Sequence, residues 1–150
     1  MGKISRTRVT LSIWGADIRP EDVTRVLGCQ PTRTAQTGQS ILLSNGSTRV
    51  VPRGYWKLES DETDQREIDQ KIERLLGRLN SDEQVWISLA QDHDIELFCG
   101  LFLDNWNEGF ALPRELMAEL GRRCIRVEVD IYSPVNSWPD SRTATGDEQI

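Results

Sequence analysis

Alternation between apolar and polar residues is the feature that most constrains what this chain can fold into. The longest case is a nine-residue stretch in which every second residue is apolar: Ile95, Leu97, Cys99, Leu101 and Leu103. A two-residue period is typical of a β-strand with one buried face, because successive side chains point to opposite sides of a sheet. The same alternation at 9–13, 85–89 and 125–131, and β-prone residues at 55–59, predict four further strands.

Three segments instead have the spacing of amphipathic helices. The clearest has aliphatic residues at i, i+4, i+7, i+8 and i+11, namely Ile68, Ile72, Leu75, Leu76 and Leu79. The other two, at 20–28 and 113–121, are short, and each begins with a proline and ends with a glycine that suits a C-cap. Asn45-Gly46 predicts a β-hairpin between these elements, whereas residues 29–40 show no periodicity and predict a loop.

The order of these elements predicts the fold class. From residue 55 the order is strand, helix, strand, strand, helix, strand, which is the split β-α-β arrangement of ferredoxin-like folds. We therefore predict an α+β sandwich whose mixed or antiparallel sheet has helices on one face, preceded by an extra strand, helix and hairpin. One domain is expected over residues 1–132, and the polar segment 133–150 is expected to be a loosely ordered tail.

The charges are distributed unevenly along the 150 residues, although the net charge is only −6. Residues 1–58 carry nine basic and three acidic side chains, whereas residues 59–150 carry nine basic and 21 acidic ones. A uniformly basic nucleic-acid-binding surface is therefore excluded. The acidic part instead suits a basic partner, unless the two parts neutralise each other inside the fold.

Residue patterns that would indicate catalysis or a cofactor are missing. His93 is the single histidine, and the sequence has no phosphate-binding glycine-rich loop or zinc-protease motif. The cysteines Cys29, Cys99 and Cys124 form no closely spaced pair. We expect no enzymatic activity, no catalytic residues, no cofactor and no metal. Without a long apolar run or an export signal, we also expect no membrane association and a cytoplasmic location.

The segment from Trp14 to Gly38 resembles a family of bacterial proteins, domain of unknown function 4279. The matching positions are Gly15, Pro20, Val23, Thr24, Leu27, Gly28, Pro31, Thr32 and Gly38, followed by Trp56. The later segment 109–121 and the closing V-D-I-Y at 129–132 also fit, so the resemblance covers roughly residues 8–132. It implies no catalytic residues, because that family has none to carry over, and it implies a relation to immunity or accessory partners of toxins.

The predicted sheet has one face that collects aromatic and charged residues. The two-residue period places there Trp14, Trp86, Phe98, Phe102 and Tyr132, together with Glu96, Arg126, Glu128 and Asp130. A contiguous exposed aromatic surface usually marks a binding site. Alternatively, residues 29–54, the tail or a second copy of the chain covers it. Three acids beside one arginine repel phosphate, so nucleic acid is not expected there.

Two hypotheses of function follow. In the first, the protein is a non-enzymatic binding module that occludes a basic toxin, as an immunity protein does. Its expected contacts are Glu96, Asp104, Trp106, Glu108, Glu128 and Asp130. In the second, the protein senses a small anion or nucleotide through the loop 31–38, because hydroxyl and guanidinium groups bind phosphate oxygens. Its expected contacts are Thr32, Arg33, Thr34, Arg53 and Trp56.

Overall fold

A five-stranded mixed sheet forms the centre of the molecule in the computed structural model, which describes residues 2–133. The strands in chain order are β1 (Gly2–Lys3), β2 (Arg6–Gly15), β3 (Arg33–Ala35), β4 (Ser40–Leu42), β5 (Thr48–Val50), β6 (Gly54–Glu59), β7 (Asp94–Phe102), β8 (Glu108–Gly109) and β9 (Arg126–Tyr132). The central sheet has the order β3-β6-β2-β7-β9, in which only β7 and β9 run parallel. The short strands β1 and β8 pair with each other, as do β4 and β5.

Four helices complete the described fold and pack on one face of this sheet. They are α1 (Pro20–Leu27), α2 (Ile68–Gly77), α3 (Glu83–Asp92) and α4 (Arg114–Arg122). Their buried side chains join one core with the inward residues of β2, β6 and β7, such as Leu11, Leu58 and Leu97. The protein is therefore an α+β fold with a mixed sheet. None of these helices is long and apolar enough to cross a membrane.

Several local predictions agree with the structure. Helix α1 ends at Gly28, whose φ of 69° is left-handed and lets its N–H donate to the Thr24 carbonyl. The hairpin predicted at Asn45-Gly46 is formed by β4 and β5, and Gly46 adopts a φ of 83° in its turn. The expected tail at 133–150 lies, apart from Ser133, outside the described residues.

The strand predicted at 85–89 is wrong, because these residues belong to helix α3. Val85 and Leu89 are four residues apart, a spacing that suits one face of a strand and one face of a helix equally. Asp82 decides between them by accepting a hydrogen bond from the Gln84 N–H at 3.0 Å, as an N-cap does. From β6 onward the order is consequently strand, helix, helix, strand, helix, strand, with the two-residue strand β8 between β7 and α4. The ferredoxin-like arrangement is therefore not confirmed.

The loop predicted at 29–40 is also partly wrong, because it contains edge strand β3. This strand pairs with β6, and the preceding Thr32 N–H donates to the Lys57 carbonyl at 2.7 Å. A three-residue strand is too short to show a period, so only its pairing partner reveals it.

Candidate protein-binding surface

The sheet face opposite the helices carries the side chains that could contact another molecule. We call it the open face. At its centre Thr10 and Ser12 are nearly buried, with 7% and 4% exposure, between larger side chains of the neighbouring strands. Registry aligns Ser12 with Lys57 on one side and with Glu96 on the other. Residues of β6, β2 and β7 therefore form one continuous surface.

One end of the open face is an aromatic cluster that surrounds a lysine. The rings of Trp14 and Tyr55 meet edge to face, with centroids 5.3 Å apart. The Lys57 ammonium lies 4.5 Å from the centroid of Trp14 and 4.9 Å from that of Tyr55. Burial lowers the pKa of Lys57, and the nearby Arg33 guanidinium lowers it further. The aromatic faces offset part of this desolvation by cation–π attraction.

The opposite end of the open face is a stack of one arginine and two rings. Phe102 and Tyr132 lie parallel within 9°, with centroids 4.7 Å apart. The Arg6 guanidinium covers Phe102 at 4.1 Å from the ring centroid. Tyr132 remains 46% exposed, so the stack presents a flat aromatic edge to solvent.

Between these ends, an acidic group lines the two strands at one side of the sheet. Registry places Glu96 beside Arg126, Phe98 beside Glu128, and Gly100 beside Asp130. Burial raises the pKa of Glu96, the carboxylate of Glu128 raises it further, and Arg126 opposes the rise. Arg126 lies 3.2 Å from Glu128 and 4.0 Å from Glu96, so one cation is shared between two carboxylates.

The loop after β7 continues this acidic side of the molecule. The Leu103 N–H donates to the Tyr132 carbonyl at 2.9 Å, which places the loop beside the end of β9. Glu108 holds the loop in shape by accepting the Asp104 N–H at 3.1 Å. Trp106, within this loop, is 77% exposed.

The six residues predicted to contact a partner thus lie along one side of the molecule. Three of them are on the open face of β7 and β9, and three are in the segment that follows β7, of which Glu108 begins β8. We call this set the acidic edge: Glu96, Asp104, Trp106, Glu108, Glu128 and Asp130. The predicted contribution of Trp86 to the open face is wrong, because this residue of α3 is fully buried in the core and donates to the Asn80 carbonyl.

The open face also carries more positive charge than the sequence patterns indicated. Its cationic residues are Arg6, Arg8, Arg33, Lys57 and Arg126, most of them from strands outside the acidic part of the chain. Arg8 pairs with Glu62 and Arg33 with Glu59, each at 2.6 Å. The basic and acidic parts of the chain therefore neutralise each other partly within the fold, and at the acidic edge the carboxylates outnumber the neighbouring cation Arg126. The two-residue period of β6 could have placed Tyr55 and Lys57 on this face.

Four of the five residues predicted for a ligand-binding loop bond to other residues of the chain. Trp56 is wrong as a ligand contact, because it is fully buried and its indole N–H donates to the Thr24 hydroxyl. The Thr32 hydroxyl accepts the Glu59 N–H at 2.9 Å. Arg53 pairs with Asp94 at 2.7 Å. Thr34, on edge strand β3, is exposed.

Two of the cysteine and histidine side chains, His93 and Cys124, line a surface pocket together with Glu96 of the acidic edge. Cys99 is buried under the sheet, and burial raises its pKa to about 12. Cys124 is exposed, and Cys29 is half-buried. The ring of His93 lies 2.9 Å from the Leu89 carbonyl at the end of α3. Within residues 2–133, no three His, Cys, Asp or Glu side chains are grouped so as to hold a metal ion.

Comparison with known proteins identifies a family for this chain. No curated protein and no solved structure gives a significant match to the chain. A family described as a domain of unknown function, DUF4279, matches residues 5–134, which include every strand of the central sheet. The positions that resemble this family in sequence include Thr24 and Trp56, which are bonded to each other in the core. The chain belongs to the family of domain of unknown function 4279.

Proposed function

We propose that this protein is a non-enzymatic binding module whose acidic edge docks a basic surface of another protein. The observation that carries the proposal is the position of Trp106, a tryptophan with 77% exposure, in the loop that continues the row of carboxylates. Tryptophan is strongly enriched among the residues that dominate binding energy at protein interfaces. A soluble protein gains nothing in folding stability from leaving such a side chain in water.

The charges of the acidic edge favour a cationic partner. Glu96 and Glu128 compete for Arg126, and within residues 2–133 Asp130 accepts a side-chain hydrogen bond only from the Tyr132 hydroxyl, at 3.3 Å. A lysine or arginine from a partner would satisfy these carboxylates and relieve the repulsion that raises the pKa of Glu96. Complementary charges also raise the rate of association.

The aromatic stack beside the acidic edge supplies apolar area for the same contact. Phe102 is half-buried and Tyr132 is partly exposed, and both adjoin the loop that carries Trp106. Aromatic anchors with a polar rim are the usual composition of an interface core. This combination supports binding of a folded protein more than binding of a free peptide or small molecule.

Inhibition of a basic toxin by occlusion is the specific form of this function that we propose. The residues that contact the partner would cover its cationic surface, so the inhibitor needs no chemistry of its own. A cytoplasmic location suits this role, and the three cysteines, which form no disulfide in the described residues, are compatible with a reducing compartment.

Site-specific photo-crosslinking in the native host tests the proposal. A benzophenone amino acid at Trp106 or Asp130 should capture one basic protein, identified by mass spectrometry and confirmed with purified components. The same probe at Glu73, on the exposed side of α2, is the control and should not capture it. Capture of the same partner from position 73 alone, or of an acidic partner at the edge, would contradict the proposal.

A further inference from the structure

A polar cleft on the other side of the molecule has features that the proposed protein-binding function does not use. It lies between the segment 60–66 and helix α2 and has a volume of about 660 Å³. This volume falls within the range of small-molecule sites. Four cationic side chains and two carboxylates line it: Arg66, Lys71, Arg74 and Arg78, with Asp61 and Asp64. We call it the α2 cleft.

The two carboxylates of the cleft are already bound by their own loop. The Asp61 carboxylate accepts the Thr63 N–H at 2.9 Å and the Thr63 hydroxyl at 2.8 Å. The Asp64 carboxylate accepts the Arg66 N–H at 3.0 Å and also pairs with the Arg66 guanidinium at 3.1 Å. These bonds lower the pKa of both aspartates. The carboxylates therefore shape the loop and neutralise Arg66, but they leave other cations of the cleft without a close partner.

The burial of Lys71 is the feature of the cleft that packing alone explains least well. It is only 3% exposed, and its ammonium makes one hydrogen bond to protein, to the Thr7 carbonyl at 2.8 Å. Burial lowers its pKa, although Asp64 and Asp61 oppose this. It also stands in the first turn of α2, where the positive end of the helix dipole disfavours a cation. An anion in the cleft would relieve both costs.

Arg74 and Arg78 extend the cationic row along the helix. They lie three and seven residues after Lys71, so all three project from the same side of α2. Neither arginine forms an ion pair with any described residue. Two arginines four residues apart repel each other, and the Asp61 carboxylate, whose pKa Arg74 lowers, offsets only part of this cationic charge.

Hydroxyl and guanidinium donors in the cleft point to the chemistry of the ligand. Ser60 accepts the Val9 N–H at 3.2 Å, which leaves its own O–H free to donate. Guanidinium groups bind phosphate oxygens in a bidentate manner, and lysine binds them as a point charge. Lys71 and Arg78 are separated by about 10 Å along the helix, from a rise of 1.5 Å per residue. One phosphate is too small to engage both ends of this row.

We propose that the α2 cleft binds a phosphorylated small molecule that carries two or more phosphate groups. Lys71 holds one phosphate at the floor of the cleft, and Arg74 and Arg78 hold the next at its rim. The Ser60 hydroxyl donates to the inner phosphate. This site is independent of the acidic edge, so either proposal can fail without affecting the other.

Titration calorimetry with inorganic pyrophosphate tests the site on the full-length protein at constant ionic strength. Pyrophosphate should bind saturably with one site per chain, more tightly than inorganic phosphate and more tightly than citrate. Arg74→Ala and Arg78→Ala should each weaken binding about tenfold, since each removes a charge-assisted contact. Arg114→Ala, which removes an exposed arginine of α4, is the matched control and should bind as the wild type does.

A further variant tests the buried lysine itself, and circular dichroism checks that this variant still folds. Lys71→Met retains the length of the side chain and should abolish pyrophosphate binding while the circular dichroism spectrum stays unchanged. The proposal is overturned if pyrophosphate does not bind, if citrate binds as tightly, or if the two arginine variants bind like Arg114→Ala. Binding of an RNA oligonucleotide without any binding of pyrophosphate would also overturn it.

Discussion

Trp56 of β6 donates its indole N–H to the hydroxyl of Thr24 on α1, with the two atoms 3.0 Å apart. Trp56 is fully buried, so this bond satisfies a donor that has no access to water. It also joins the first helix to the sheet at two positions where the sequence resembles its family. We infer that these positions reflect the packing of α1 and not a binding site.

A double-mutant cycle on this pair measures that role. Thr24→Val should lower the free energy of unfolding by about 1–3 kcal/mol, because it leaves the buried indole N–H without an acceptor. Trp56→Phe removes the donor together with part of the buried ring, so its cost includes a cavity. The double variant should be more stable than the sum of the two losses predicts, by about 1 kcal/mol, in urea denaturation. Strict additivity would show that the bond contributes no stability.

The amount of space around two glycines predicts opposite effects of the same substitution. A Cβ at Gly54 would lie 2.6 Å from the Ile18 side chain and 3.0 Å from backbone atoms of Ala35 and Thr37. Gly54→Ala should therefore destabilise the protein by about 1–3 kcal/mol, because the backbone cannot give way. Gly77→Ala, in α2 with no atom within 4 Å of the new Cβ, should stabilise it by up to about 1 kcal/mol. Thermal unfolding of both variants checks this, and equal shifts of either sign would contradict it.

The raised pKa of Glu96 predicts how stability depends on pH. A carboxyl group whose pKa is higher in the folded state destabilises the fold when it is ionised, and this cost disappears as the pH falls below its unfolded value. Glu96→Gln should therefore raise the free energy of unfolding at neutral pH by about 0.2–1 kcal/mol, the usual size of a cross-strand effect.

The gain from Glu96→Gln should shrink as the pH falls through the raised pKa of Glu96 and should be absent below the ordinary glutamate pKa of 4.5. Chemical denaturation at several pH values provides the measurement, with Glu73→Gln on α2 as the control. A gain that does not change with pH, or a loss of stability at neutral pH, would show that the carboxylate of Glu96 is not strained in the fold.

The three cysteines should differ in reactivity. Cys99 is 1% exposed and burial raises its pKa to about 12, so its thiolate is scarce and inaccessible in the native protein. Cys124 is exposed and should react first with a thiol reagent. Cys124→Ser should remove the fast phase, and labelling of Cys99 should require unfolding. Rapid native labelling of Cys99 would contradict the described packing of β7.

Local patterns predicted elements whose determinants lie close together in sequence. The alternation from Ile95 and the proline and glycine that bound α1 are of this kind. Helix α3 was not predicted, because the spacing of Val85 and Leu89 fits the period of a strand and the period of a helix. The N-cap that decides between them, Asp82, lies outside the alternating segment 85–89.

The composition of the open face depended on pairing between distant strands. The sequence placed Glu96, Glu128 and Asp130 on one face, because all three lie in strands with a clear two-residue period. Arg6 lies before the strand predicted at 9–13 and joined that face only through the registry of β2 with β7. The α2 cleft could not be predicted from the sequence, because its formation depends on tertiary packing. In the sequence, Lys71 follows the pattern of a solvent-facing residue beside the apolar Ile72, but in the fold it is buried.

The affinity of the crosslinked partner for variants of the acidic edge tests the central claim most directly. Asp130→Lys and Trp106→Ala should each weaken binding about tenfold or more in titration calorimetry, the first by charge repulsion and the second by loss of an apolar anchor. The control Glu73→Lys should leave the affinity unchanged, and the effect of Asp130→Lys should diminish at high salt. If both edge variants bind the partner as tightly as the wild type does, the acidic edge is not the binding surface.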